Sequence, residues 1–403
     1  MSSEKIPFSP PDITELEILE VSDTLRSGWI TTGPKTARFE KMIGEYCLAD
    51  RAVCLSSATA GLELSLRLFD IGEGDEVITT PYTYAATANV ILHTGARPVF
   101  ADVRKGEYNI DPVSVESLIT EKTKAVISVD VGGLPCDYDG IKEALETRKR
   151  LFSPAAGTRQ ESLDRPVYIS DAAHSLGARY KGRPVGSSAD FTVFSFHAVK
   201  NVTTAEGGAI VFSSSENWDP AGIEKTLRLL SLHGQDKDAL SKTQLNSWRY
   251  SIEIPGYKCN MTDIQASLGI VQLGRYEKEM IPWRKKIAGI YNSELGKSPG
   301  LEMPVLCGSE METSYHLFMA RLRSGGETER DAIISGLAEK NIAANVHYIP
   351  VVMHPAYTKL GYSIGDYPNT YHAYEREITL PLYSTLPAGD AHRVCDEILG
   401  MLK

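Results

Sequence analysis

From residue 53 to residue 212 the chain alternates short runs of β-favouring residues with stretches of other character, without any internal sequence repeat. The runs are Val53-Cys54-Leu55, Glu76-Val77-Ile78-Thr79, Pro98-Val99-Phe100, Ala125-Val126-Ile127-Ser128-Val129, Val167-Tyr168-Ile169-Ser170, Thr192-Val193-Phe194-Ser195 and Ala209-Ile210-Val211-Phe212. Helical patterns fit between several of them, as at residues 60–69 and 85–94. Strands that are apolar along nearly their whole length need cover on both faces, and intervening helices supply it. The alternation predicts an α/β fold with a mainly parallel, buried sheet and helices on both sides. Ligands on such sheets bind beyond the carboxyl ends of the strands, so the chemistry is sought just past each run.

Composition narrows the partners. The chain has 403 residues, more than one hydrophobic core usually organises, so two domains are expected. Its 42 Lys and Arg against 52 Asp and Glu leave a formal charge of −10, which argues against nucleic acid or an anionic membrane as the main partner. A local pocket for a phosphorylated small molecule is compatible with that total. No apolar run approaches the ~20 residues of a membrane span, and Met1-Ser2-Ser3-Glu4-Lys5-Ile6-Pro7 has no apolar signal-peptide core. A cytoplasmic location is the expectation. The six cysteines form no CxxC pair and the nine histidines no HxxH or HxxxH pair, so free thiols and no metal site are expected.

Residues 14–27 read as an amphipathic helix stopped by Gly28, and residues 37–48 as a second helix. Residues 146–165, with Arg148-Lys149-Arg150 and a Pro-Ala-Ala-Gly turn, read as a surface insertion ahead of a strand. Past Met261 a charged helical pattern runs to about residue 295; Pro282 should kink or split it, and it reads as a connector. Strands and helices recur at 315–322, 329–340, 342–348 and 388–402, the pattern of a smaller α+β domain. The expected division is a large domain over residues 1–265, with 1–30 as an N-terminal arm and helix, and a small domain over 266–403 that includes the connecting helix.

Four elements past the β-runs can carry chemistry. Lys200, in Ser195-Phe196-His197-Ala198-Val199-Lys200-Asn201, could form a Schiff base if its amine is desolvated. Asp171, in Asp171-Ala172-Ala173-His174-Ser175, could pair with a protonated pyridine nitrogen. Ser56-Ser57-Ala58-Thr59-Ala60-Gly61 places small residues and a helix start where a phosphate could be cradled. In Pro81-Tyr82-Thr83-Tyr84 an aromatic could stack on a planar ring. Alone, each has an ordinary explanation: a solvent-facing lysine, an N-cap aspartate, a Ser/Thr cap, a core aromatic. Taken together and in this order they describe a pyridoxal-phosphate site.

At this point the sequence resembles the DegT/DnrJ/EryC1/StrS family of sugar aminotransferases. The matching stretches are Gly28-Trp29-Ile30-Thr31-Thr32-Gly33-Pro34, Gly72-Glu73-Gly74-Asp75-Glu76-Val77-Ile78, Ala86-Thr87-Ala88-Asn89, Asp171 to Ser175, Phe194 to Asn201, Gly256-Tyr257-Lys258-Cys259-Asn260-Met261-Thr262-Asp263-Ile264-Gln265-Ala266 and Val346-His347-Tyr348-Ile349-Pro350. The resemblance implies an aspartate-aminotransferase-like fold of the type I pyridoxal-phosphate class, with a seven-stranded, mainly parallel sheet in the large domain. It implies pyridoxal 5'-phosphate as cofactor and Lys200 as both Schiff-base lysine and proton shuttle. Asp171 is implied as partner of the pyridine nitrogen, His174 of the phenolic oxygen, and Tyr84 as the stacking aromatic. Ser57, Ala58, Thr59 and Ser195 fall at the phosphate. Asn260 matches an asparagine that reaches the phosphate from a neighbouring subunit, which implies a homodimer with shared active sites. Thr32, His347 and Tyr348 are the implied substrate contacts.

Some relatives replace the lysine by histidine and become dehydratases; Lys200 favours amino transfer. The implied reaction moves the amino group of glutamate to a keto group of a nucleotide-linked keto-deoxysugar, for cell-surface polysaccharide or a related glycan. Through Ile254-Pro255-Gly256-Tyr257-Lys258-Cys259-Asn260 the resemblance points to C4. Amination at C3, a scyllo-inosose-type aminotransferase, a non-transaminating pyridoxal-phosphate enzyme and an inactive sugar-binding regulator stay open as alternatives. Two departures stand out: the insertion at 146–165 is longer than the family's connection, and Cys259 takes the place of a common aromatic.

Overall fold

The computed structural model describes residues 4–237 and 248–402. The first three residues of the N-terminal stretch read above lie outside it. Thirteen strands are described in chain order: β1 (Arg51–Leu55), β2 (Glu76–Thr79), β3 (Arg97–Phe100), β4 (Thr123–Val129), β5 (Val167–Asp171), β6 (Arg179–Tyr180), β7 (Arg183–Pro184), β8 (Phe191–Ser195), β9 (Gly208–Phe212), β10 (Leu301–Glu302), β11 (Met311–Glu312), β12 (Phe318–Leu322) and β13 (Glu377–Leu380).

Seven of these form one sheet in the order β1-β9-β8-β5-β4-β2-β3. Only β9 runs against its neighbours, pairing antiparallel with both β1 and β8. All seven contain the runs singled out in the sequence. Residues alternate between two cores: Tyr168 of β5, Phe194 of β8 and Val211 of β9 face one, and Ile169, Val193 and Ile210 face the other. Each core is closed by helices, Pro34–Cys47 and Tyr138–Arg148 on one side, Ala58–Arg67 and Pro220–Ser231 on the other. Burial on both faces is why these strands are apolar at successive positions.

A smaller antiparallel sheet, β10-β12-β13, packs on helices Ile281–Leu295 and Ala388–Met401 around Tyr291, Phe318 and Ile378. Two segments here differ from what the sequence pattern predicts. The run at 342–348 is not a strand; it touches the sheet through one bridge, Asn345 to Thr379, and then turns toward the large sheet. The third strand is instead β13, a four-residue segment buried throughout whose alternate residues, Glu377 and Thr379, are polar, so it does not read as the continuous apolar run of a buried strand.

The charged helix is interrupted next to Pro282, as its ring suggests. Helix Asp263–Arg275 passes through one π turn, Tyr276–Met280, into Ile281–Leu295, so the proline sits in the first turn of the last piece. The π turn, in which the Ile281 N–H donates to Tyr276 C=O, takes up the break in the helical ladder that a proline makes. Helix Glu15–Ser27 forms as expected, from a Thr14–Glu17 capping box to Gly28 in the left-handed region. Its polar residues turn inward, however. Glu17 is fully buried against Arg275 (2.8 Å) and Gln272 (2.9 Å), while Leu16, Ile18, Leu19 and Leu25 are exposed. The insertion at 146–165 is folded onto the body, with Gln160 fully buried and bonded to Asp75 at 3.0 Å.

Candidate active site

Strands β4, β5 and β8 end side by side, in a register that sets Asp171 beside Val129 and Val193. Past these ends opens a cavity of about 480 Å³, within the range of small-molecule sites.

One corner is a helix start. After β1 the chain enters helix Ala58–Arg67, capped by Ser57 Oγ, which accepts from the Ala60 N–H at 3.1 Å. The first intrahelical bond runs from Gly61 N–H to Ser57 C=O at 3.2 Å. The N–H groups of Ala58 and Thr59 precede it, have no acceptor among the described residues, and belong to residues lining the cavity. Strand β9 passes close behind. A Cβ on Gly208 would stand 2.4 Å from Ala58 N and 2.5 Å from Ser57 C, so only glycine permits this approach. Ser195, ending β8, brings its hydroxyl to the cavity, where it accepts from the His197 N–H at 3.3 Å.

The centre holds one acid and one amine. Asp171 is buried at the end of β5; its Oδ2 accepts from Thr87 Oγ1 at 2.7 Å and its Oδ1 from the Ala173 N–H at 3.2 Å. Burial pushes its carboxyl up, while Thr87, Ala173 and the Lys200 charge pull the other way. Lys200 hangs from a turn whose N–H donates to His197 C=O at 2.9 Å, and its Nζ has no acceptor among the described residues. Burial lowers its amine to about 8, with Asp171 opposing.

The far wall comes from other parts of the chain. His174 Nδ1 accepts from the Gly132 N–H at 3.2 Å, so the neutral ring carries its proton on Nε2 and donates to Tyr348 Oη at 2.8 Å. Burial, with Lys200 nearby, keeps that ring neutral. His316 lies 4.4 Å from it, ring to ring, and donates through Nδ1 to Asn201 Oδ1 at 2.9 Å. The Asn201 amide donates to Tyr276 Oη and Ser314 C=O, each at 2.9 Å, which fixes the backbone next to Lys200. Phe8 lies flat on His347, centroids 5.3 Å apart, and Tyr84 faces Tyr348 at 5.9 Å.

Ten of the twelve residues chosen from sequence thus line one cavity: Ser57, Ala58, Thr59, Tyr84, Asp171, His174, Ser195, Lys200, His347 and Tyr348. The other two, Thr32 and Asn260, are not in its lining. They meet each other, Asn260 Nδ2 donating to Thr32 Oγ1 at 2.5 Å, with Lys258 Nζ bonded to Asn260 Oδ1. Sequence reasoning missed Phe8, His316 and the Asp171 partner Thr87. Thr87 lies in a stretch already matched to the family; His316 and Phe8 carry no spacing signal, each lying more than a hundred residues from Asp171 and Lys200 in the chain.

The family model for the DegT/DnrJ/EryC1/StrS aminotransferase family matches residues 11–399. The chain belongs to that family. It is 40% identical over 402 residues to the spore coat polysaccharide biosynthesis protein SpsC of Bacillus subtilis, covering 99% of this chain and 97% of that one. To the UDP-4-amino-4-deoxy-L-arabinose–oxoglutarate aminotransferase of Shewanella sediminis it is 38% identical over 412 residues, covering 99% and 100%. Among solved structures, Spr1654 of Streptococcus pneumoniae, assigned as a sugar aminotransferase, superposes with a TM-score of 0.95 in its PMP form, at 46% identity over 98% of this chain and 99% of that one. Its PLP form gives 0.94 at 45% identity, covering 99% of each.

The enzyme is therefore a pyridoxal-phosphate-dependent transaminase of fold type I, and its cavity fits the cofactor. Two free N–H groups at a helix start, in a corner that a side chain on Gly208 would close, suit a phosphate. The buried Asp171 carboxyl, with no ion pair among the described residues, suits a protonated ring nitrogen. An amine with no protein acceptor suits a carbonyl carbon.

Proposed function

We propose that this aminotransferase moves the amino group of glutamate to C4 of a nucleotide-linked keto-deoxysugar, in the assembly of a cell-surface polysaccharide or related glycan. The observation that carries the reading is the unpartnered Lys200 amine, lowered to about 8, in one cavity with the Asp171 carboxyl and a wall of neutral imidazoles and phenols. The names of the Shewanella and Bacillus relatives support the 4-amino product, the oxoglutarate partner and the polysaccharide context.

Bound pyridoxal phosphate supplies the electron sink that lets a C–H bond beside nitrogen ionise. The chain's residues do the rest. Ala58 and Thr59 N–H groups and the Ser195 hydroxyl hold the phosphate. Asp171, ionised opposite a protonated ring nitrogen, keeps that proton in place. Lys200 Nζ, with a share of its amine neutral near pH 7, would take the proton from the donor's α carbon and deliver it to the cofactor carbon that loses the nitrogen bond to lysine. His174 and Tyr348, joined by their hydrogen bond, close the site around the reacting carbon, and the uncharged wall of His316, His347 and Tyr348 suits hydroxyl-rich sugar.

The reading includes a homodimer with shared sites. Asn260 and Thr32 are not in the lining of this chain's own cavity, and Leu16, Ile18, Leu19, Leu25 and Ile30, all within 16 residues before Thr32, are exposed. It also includes a cofactor-binding large domain and a small C-terminal one, the passage between them lying in the 263–295 helix, and a cytoplasmic location, consistent with six free thiols. Among the described residues no helix is long and apolar enough to cross a membrane.

The test is a two-step incubation. Glutamate should bleach the visible band of the holoenzyme and release stoichiometric 2-oxoglutarate; a panel of nucleotide keto-sugars should then restore the band, with product mass and linkage determined. No 2-oxoglutarate, or an amino group at C3, sinks the reading.

A further inference from the structure

One buried carboxyl has no part in the chemistry above. Glu377 opens β13, is fully buried, and makes no ion pair among the described residues. A carboxyl buried without a counter-ion is costly unless its oxygens are satisfied or protonated. Both oxygens are engaged by one structure: Oε2 accepts from the His347 N–H at 2.8 Å, and Oε1 lies 2.5 Å from Thr379 Oγ1. The same threonine hydroxyl lies 3.0 Å from His347 Nδ1. The remaining ring nitrogen, Nε2, has no partner among the described residues, and the imidazole is part of the cavity wall. The arrangement is held rigidly. Asn345 and Thr379 exchange backbone hydrogen bonds of 3.1 and 2.8 Å, Tyr82 Oη donates to His347 C=O at 2.8 Å, and Phe8 covers one face of the ring.

A hydroxyl has one proton to give, so these three groups change state together. With Glu377 ionised, Thr379 donates to it and accepts from His347 Nδ1–H, which leaves a lone pair on Nε2. With Glu377 protonated, the carboxyl donates to Thr379, Thr379 donates to Nδ1, and the proton sits on Nε2. We propose that Glu377, Thr379 and His347 form a proton relay that carries a proton between the buried carboxyl and the cavity wall. When His347 Nε2–H gives its proton to a substrate oxygen, Nδ1 takes one from Thr379 and Thr379 takes one from Glu377. Three bonds to hydrogen break, three form, no electrons change hands, and a carboxylate remains.

Burial pushes the Glu377 carboxyl up to about 8 and holds the His347 ring down to about 4, so near neutral pH both arrangements exist without an imidazolium. The groups facing Glu377 are few. Arg330, on helix Glu327–Glu339, favours its ionised form; Arg321 on β12 lies over the Tyr108 ring; the phenols of Tyr82, Tyr108 and Tyr348 are kept neutral by burial. Resting on the sugar reading above, the oxygen served is the one that must leave the keto carbon as water, beside Lys200. Glu377 is in this sense a positioning residue that acts through His347.

Nitrogen-15 NMR of histidine-labelled holoenzyme reads the tautomer without any sugar. In the wild type the His347 proton should move from Nε2 to Nδ1 as Glu377 ionises between about pH 6 and about pH 10. In E377Q the amide nitrogen must donate to Thr379, so the proton should stay on Nε2 throughout. T379V should abolish the switch and T379S retain it. A wild-type tautomer that ignores pH, or one that switches equally in T379V, overturns the relay. The second arm uses UDP-4-amino-4-deoxy-L-arabinose with 2-oxoglutarate, the reverse direction, which needs the Nε2 lone pair. Its rate should rise with pH about tenfold per unit more steeply in the wild type than in E377Q. Equal slopes overturn the relay's catalytic part. No turnover of this sugar by the wild type counts against the C4 reading alone, because the tautomer measurement decides the relay by itself.

Discussion

The tightest contact in the cofactor corner is the one Gly208 makes possible, and Gly208→Ala tests the whole phosphate argument. The added Cβ would meet Ala58 N at 2.4 Å, Ser57 C at 2.5 Å and Ala58 Cα at 2.8 Å, all backbone atoms. Side-chain rotation cannot relieve it. Neither can Gly208 itself withdraw, because it is paired with Leu55 of β1 on one side and Ser195 of β8 on the other. The helix start must therefore move by at least about 0.6 Å to reach even a tight contact of 3.0 Å. Overpacking of this kind costs about 1–3 kcal/mol of stability. It also turns the Ala58 and Thr59 N–H groups away from the phosphate. Charge-assisted hydrogen bonds are worth about 1.5–3 kcal/mol each, so losing roughly one of them weakens cofactor binding by about 10- to 100-fold. The assay is titration of apoenzyme with pyridoxal phosphate, followed by absorbance, beside urea unfolding of the apo form. If Gly208→Ala binds the cofactor as the wild type does, the phosphate does not sit at this helix start.

Two further outcomes follow from the same geometry. The lowered Lys200 amine makes the cofactor-free protein gain stability as pH rises from about 8 toward 10.5, since the unfolded chain holds that proton and the native state does not. Lys200→Met removes this rise and stabilises the apo form at pH 7 by about 1–2 kcal/mol, a value reduced for the amine's partial access to the cavity, as denaturant titration at both pH values should show. Shared active sites make Lys200→Ala and Asn260→Ala complement each other. Mixed subunits should regain activity that neither variant has alone, and a mixture as inactive as its parts means that Asn260 serves its own chain.

The large sheet was legible in the sequence because most of its strand positions are buried on both faces, which leaves a short, largely apolar or β-branched run at each of the seven strands. The helix at 85–94 was legible to its ends. β13 was not, since Glu377 and Thr379 are polar in a buried strand and are there for the bonds they make to His347. The helix at 15–27 shows a related limit. Its period was visible, but which face turns inward depended on Arg275 and Gln272, more than two hundred residues away, meeting Glu17.

What the sequence determined alone is local: the order of strands and helices, the cap residues, and the chemical types placed just past each strand, from Ser57 to Lys200. Those follow from periodicity and short-range backbone physics, and the family resemblance gave them roles. What only the tertiary structure decided is which distant groups share protons and charge. Thr87 on Asp171, Gly132 on His174, Asn201 on His316 and Glu377 on His347 each join segments separated by thirty to over a hundred residues. Hydrogen bonds and desolvation depend on distance in space, and a linear pattern carries no record of it.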